Sequence, residues 1–72
     1  MDSKNLLLSL DQLLRLPAGT LAGPEELEGL KGWDSFAIVD YIALVDEVSG
    51  VDIPPEKVRN CKRVQDLLDL AS

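Results

Sequence analysis

The chain of 72 residues predicts an all-α fold, a small four-helix bundle with three long helices and one short. A long loop separates the first helix from the second. Three observations carry this. Apolar residues recur at helical spacing in separate windows, no stretch alternates apolar and polar residues as a half-buried strand would, and proline and glycine punctuate the gaps. The length admits one domain over residues 1–72.

The first helix rests on Leu6, Leu7, Leu10, Leu13 and Leu14. Ser3 or Asn5 is available as its cap, and Asp11, Gln12 and Arg15 are read as its polar face. Pro17 stops it. Pro17, Gly19, Gly23, Pro24, Gly29 and Gly32 then mark a loop over residues 17–33. Within it, Pro24 to Leu27 suits one helical turn, and Leu21, Leu27, Leu30 and Trp33 should pin the segment to the core. Trp33, where the loop rejoins the bundle, is expected to pack largely inside. Loops of this length in small domains are commonly functional.

The second helix should run from Ser35 to Ser49, with Asp34 as N-cap and Gly50 as C-terminal stop. Val51 to Ile53 bridges to Pro54 and Pro55. Proline is pre-set for the first helical position, so Pro55 to about Asn60 reads as a short third helix. Val64, Leu67, Leu68 and Leu70 mark the last helix, ending near Ala71. No internal repeat or low-complexity tract occurs.

Composition narrows the function classes. Apolar residues make up 46% of the chain but there is one Trp, one Tyr and one Phe, so the core must be aliphatic. So short a chain buries a smaller fraction of its surface than a larger one, which leaves a thin stability margin. The net charge is -6 without any histidine. Such a surface repels nucleic acid and anionic membrane and suits a basic protein partner. A single cysteine, Cys61, allows no internal disulfide, which fits a reducing compartment. The start Met-Asp-Ser-Lys-Asn has no signal-type pattern, and no apolar run approaches the roughly 20 residues that span a bilayer. A monomeric, soluble, cytoplasmic protein is expected.

At about 100° per residue, the second helix turns Ala37, Ile38, Tyr41, Ile42, Leu44, Val45 and Val48 to the core. Asp40 and Glu47 point away. Phe36 and Ala43 fall in the same outward stripe, and Val39 lies beside Asp46. Single exposed apolar residues are ordinary. Apolar groups ringed by carboxylates also make a docking stripe for a basic groove.

Enzymatic chemistry has little support. No histidine can activate Ser35 or Cys61. No glycine-rich phosphate loop follows a strand, and no Cys/His set has metal spacing. Arg59, Lys62 and Arg63 surround Cys61 in sequence, a setting that lowers a thiol pKa. The thiol is nonetheless read as structural or incidental. Lys57, Arg59, Lys62 and Arg63 are four of the seven basic residues, read mainly as a solvated loop. Ser35 stands out because a helix N-terminus offers unpaired N–H groups and partial positive charge. A phosphate ester on its oxygen would stabilise that helix end.

Three segments resemble the acyl carrier proteins, including peptidyl and aminoacyl carriers. Leu-Lys-Gly-Trp-Asp-Ser-Phe, from Leu30 to Phe36, is similar to that family's Leu-x-x-x-Asp-Ser-Leu. Asp46-Glu47-Val48-Ser49-Gly50-Val51-Asp52-Ile53-Pro54 resembles its acidic helix end and Val/Ile-x-Ile-Pro link. Arg63-Val64-Gln65-Asp66-Leu67 resembles the Thr-Val-x-Asp-Leu that opens its last helix. The match runs from about Leu6 through nearly the whole chain.

This resemblance implies an acyl-carrier-type bundle and a carrier function. Ser35 would receive 4'-phosphopantetheine from coenzyme A through a phosphopantetheinyl transferase, making the chain a phosphoprotein. Asp34 would assist the transferase and its magnesium ion. The arm's thiol would hold an acyl or aminoacyl group as a thioester, as in fatty acid, polyketide or nonribosomal peptide biosynthesis. Loading enzymes and downstream synthases or transferases would dock on Phe36, Val39, Asp40, Ala43, Asp46 and Glu47. Phe36 stands where Leu or Met is commoner, and Ala37 replaces a frequent acid. Trp33 before Asp34-Ser35 is closer to D-alanyl carriers and specialised pathways than to housekeeping fatty-acid carriers. The alternative is a non-covalent acidic helical adaptor in which Ser35 stays unmodified.

Overall fold

The structure, a computed structural model, describes residues 3–71. Met1 and Asp2, part of the N-terminal stretch examined for a leader, and the Ser3 side chain, read as a cap, lie outside the described part. Helix α1 spans Ser3–Leu13, α2 Ser35–Ser49, α3 Pro55–Arg59 and α4 Val64–Leu70. Among the described residues there is no strand, only an isolated antiparallel bridge between Glu26 and Arg63. No helix there is long and apolar enough to cross a membrane.

The helices share one aliphatic core. Helix α2 packs on α1 and α3, and α4 packs on α1 and α3. Leu6, Leu10 and Leu14 meet Tyr41, Val45, Val58, Val64 and Leu67, all buried. Tyr41 is the largest fully buried side chain. A phenol is costly to bury unless its hydroxyl finds a partner. Its O–H donates to the Leu67 carbonyl and ties α2 to α4. Burial, and secondarily the nearby Cys61, push the Tyr41 hydroxyl far above the ordinary phenol range.

Helix α1 departs from its sequence reading in two ways. It already includes Asn5, so that residue does not cap it. More consequentially, Asp11 is not on the polar face: it is 1% exposed. Its Oδ2 accepts from the Gly19 N–H at 2.9 Å and its Oδ1 from the Leu21 N–H at 2.9 Å. Its carbonyl also takes the Leu16 N–H at 2.7 Å, while Arg15 N–H reaches the Gln12 carbonyl at 3.1 Å. Arg15 has φ 60°, which makes this end a Schellman motif with arginine in the usual glycine position. Left-handed backbone costs a non-glycine residue about 1 kcal/mol or more. Pro17 contributes by barring Leu16 from helical backbone.

The long loop is stitched down along its length. Leu21 and Leu27 are buried, and Leu30 and Trp33 pack partly against the core. Glu25 folds back so that its carboxylate accepts from the Ala22 and Gly23 N–H groups. Burial pushes this carboxyl up, but those N–H groups outweigh it and hold it below its ordinary value. Three backbone bonds then clamp the loop to the start of α4: Gln65 N–H to the Gly23 carbonyl, Val64 N–H to Glu25, and Leu27 N–H to Lys62. Gly23 has φ +126°, and an added Cβ would meet the Gln65 side chain at 3.1 Å, so glycine is required there. The helical turn expected over Pro24 to Leu27 forms instead as a 3₁₀ turn at Leu27–Gly29. Residues 25 and 26 are held extended by the pairing with α4.

The remaining boundaries match the sequence reading. Asp34 caps α2, its Oδ1 accepting from the Ala37 N–H at 3.0 Å. Gly50 ends it with φ 70°, and its N–H returns to the Asp46 carbonyl. Pro55 opens α3. At α4 the Asp66 carboxylate reaches back to the Lys62 and Arg63 N–H groups, half of a capping box. Those two bonds hold the Asp66 carboxyl below its ordinary range.

Removing the Asp11 carboxylate should loosen the loop it anchors. The buried Leu21 N–H left unsatisfied costs about 1–3 kcal/mol, while the part-buried Gly19 N–H can turn to water, so Asp11→Ala should lose about 1–3 kcal/mol in urea unfolding. Asp11→Asn keeps one acceptor oxygen and should lose roughly half as much. An Asp11→Ala midpoint indistinguishable from wild type would show that the loop is held by its leucines alone.

Candidate functional site

The loop delivers Trp33 and Asp34 to the start of α2, and Ser35 is the first helical residue. Asp34 and Ser35 are both exposed. Of the four N–H groups that open a helix without internal partners, that of Ala37 goes to the Asp34 side chain. The next N–H, that of Ile38, makes the first regular helical bond, to the Asp34 carbonyl. Those of Ser35 and Phe36 have no acceptor within the helix. Asp34 uses Oδ1 as the cap, and no hydrogen bond engages Oδ2 among the described residues. Beside this end lies a hollow of about 260 Å³ bordered by Leu13, Leu14, Arg15, Asp34, Phe36 and Asp40.

The outer face of α2 carries the remaining sequence candidates. Phe36 is 81% exposed and Val39 63% exposed. Asp40, Ala43, Asp46 and Glu47 are exposed as well. Positions 36, 39/40, 43 and 46/47 repeat at three to four residues, so they form one stripe along the helix. The core face is narrower than the periodicity suggested. Ala37, Tyr41 and Val45 are buried, and Ile38, Ile42 and Leu44 are partly buried. Val48 is 53% exposed rather than inside. It lies in the last turn of α2, exposed although its phase is that of the core face.

Two further expectations change. Trp33 is half-buried: one part packs on the core and another borders a groove of about 450 Å³. Cys61 does not gain an activated thiol from its basic neighbours in sequence. Burial first, then the negative charges of Asp66 and Asp69, push its pKa up. Its S–H donates to the Lys57 carbonyl at 3.2 Å, one helical turn back. Arg59, Lys62 and Arg63 are exposed.

Comparisons of the chain with protein-family models, with curated proteins and with solved structures return no match.

The Cys61 geometry has a measurable consequence. A raised thiol pKa means less thiolate at neutral pH, so iodoacetamide should alkylate Cys61 more slowly than free cysteine. Its rate should still climb with pH beyond about 8.5, where an ordinary thiol is half ionised. Asp69→Asn removes one of the repelling charges and should bring the profile back toward lower pH. Alkylation as fast as free cysteine at neutral pH would contradict this arrangement.

Proposed function

We propose that the chain is a carrier protein of the acyl-carrier type, with Ser35 as the attachment point for 4'-phosphopantetheine. The observation that carries this reading is the exposed Ser35 hydroxyl on the first residue of α2, directly after the Asp34 cap. It coincides with the sequence resemblance around Leu30 to Phe36. The free N–H groups of Ser35 and Phe36 favour a phosphate ester at that place. The exposure of Ser35 leaves room for it. The residues therefore fit the group.

In this reading the Ser35 oxygen displaces adenosine 3',5'-bisphosphate from coenzyme A. One P–O bond forms at Ser35, one P–O bond of the pyrophosphate breaks, and a base of the transferase takes the hydroxyl proton. Asp34 keeps α2 capped through Oδ1 while Oδ2 can face the transferase's magnesium ion. Once attached, the arm supplies a thiol that holds cargo as a thioester. The chain itself performs no chemistry on the cargo. Phe36, Val39 and Ala43 offer apolar contacts to the transferase, loading enzyme and downstream enzymes. Asp40, Asp46 and Glu47 steer their basic surfaces. The stripe alone equally suits a non-covalent adaptor, so the modification of Ser35 decides between the two.

Incubated with coenzyme A, magnesium and a broad-specificity transferase, the wild-type chain should gain the mass of one phosphopantetheine, and Ser35→Ala should gain none. An unmodified wild type would favour the adaptor. Docking separates steering from anchoring. Asp46→Asn with Glu47→Gln should slow association with the transferase and flatten its salt dependence. Phe36→Ala should mainly speed dissociation. Both should keep wild-type helicity, since the groups removed are exposed. Equal association rates at low salt would remove the steering role.

A further inference from the structure

The groove that Trp33 borders lies between the 3₁₀ turn and the link from α3 to α4, and Leu27 and Cys61 also line it. Its charge is unlike the rest of the molecule. Arg59, Lys62 and Arg63 line it against Glu26 and Glu28, a cationic excess in a chain of net charge -6. Glu26 lies 4.0 Å from Arg63, so that pair is mutually occupied. No hydrogen bond or ion pair engages the side chains of Arg59 or Lys62 among the described residues. Two cations without a partner, against the single carboxylate of Glu28, thus stand beside an indole that the core only half covers.

The groove is also close to the proposed attachment point. Trp33 is two residues before Ser35, so their Cα atoms are within about 7 Å of each other. The described chain measures 26 × 22 × 19 Å. A flexible arm on Ser35 need not travel far over so small a surface.

We infer that this groove receives the cargo of the arm, and that it favours an acyl group ending in a carboxylate over a neutral one of equal length. The inference rests on the carrier reading and adds a cargo class to it. The apolar body of such a cargo lies against Trp33 and Leu27, and its terminal carboxylate faces Arg59 and Lys62. A neutral chain gains only the apolar contact. It also leaves the excess positive charge of Arg59 and Lys62 over Glu28 unneutralised.

Trp33 is the only tryptophan, so its fluorescence reports this groove alone. The chain is loaded by a broad-specificity transferase from octanoyl-coenzyme A or from the coenzyme A thioester of suberic acid, with loading read by intact mass. The suberyl form should protect Trp33 from acrylamide more than the octanoyl form, by roughly two-fold, the scale of an exposed ion pair. High salt should erase the difference on the unchanged chain. Arg59→Gln with Lys62→Gln should erase it as well, and both sites are exposed, so the fold should persist. If both loaded forms protect Trp33 equally, or neither does, the cargo preference is overturned while the carrier reading stands. If the mass shows no loading on Ser35, the carrier reading falls and the cargo preference with it.

Discussion

The constraint on which the structure depends is the return of the chain from α1 to α2, and it turns on one buried carboxylate. A loop laid over a core carries backbone N–H groups that must find acceptors. Asp11 supplies three from one residue: its two carboxylate oxygens take Gly19 and Leu21, and its carbonyl takes Leu16. A charged group is costly to bury unless it is fully hydrogen-bonded. Here the cost is offset by donors that the loop must satisfy in any case. The loop and the acid therefore solve each other's problem.

From that anchor the rest of the loop follows in order. Leu21 is held against the core immediately after the Asp11 contact. Glu25 closes the next turn on Ala22 and Gly23, and the Gly23 and Glu25 carbonyls with the Leu27 N–H then clamp the chain to the start of α4. The 3₁₀ turn brings Leu30 and Trp33 back toward the bundle. Asp34 then caps α2 with Ser35 outside. The position of the candidate site is thus set by backbone hydrogen bonds more than by apolar burial. The opening of α4, on the far side of the loop, belongs to the same scaffold as Ser35.

Helices α2, α3 and α4 were legible because their boundaries are written in local chemistry: Asp34 and Gly50, Pro55, and the apolar spacing after Arg63. The outer stripe of α2 was legible for the same reason, since period alone places Phe36, Val39 and Ala43 away from Tyr41 and Val45. Asp11 was misread because a carboxylate in an amphipathic helix normally faces water. Its spacing nevertheless held the signal, for Asp11 is four residues after Leu7 and three before Leu14, inside the leucine stripe. Val48 failed in the opposite direction. Its phase is right for the core, but burial also requires a neighbour, and periodicity cannot tell where the neighbouring helix ends. Cys61 shows a third limit, because the charges that act on a thiol need not be those beside it in sequence. Its electrostatics come from Asp66 and Asp69 on the next helix.

Helix α2 separates a narrow core face from a wide exposed one. Its inner face commits only Ala37, Tyr41 and Val45 to full burial, four residues apart, and α1, α3 and α4 are built around them. Its outer face contributes almost nothing to the core, so selection by partners can change it without unfolding the protein. Trp33 is the place where this separation fails. It packs on the core and lines the cationic groove, so it serves both the fold and whatever occupies that groove. A change at Phe36 alters only what the surface presents, whereas a change at Trp33 alters the surface and the junction that positions Ser35 together. Substitution should therefore be freer along the α2 stripe than around the groove, where one ring lies on both the core and the surface.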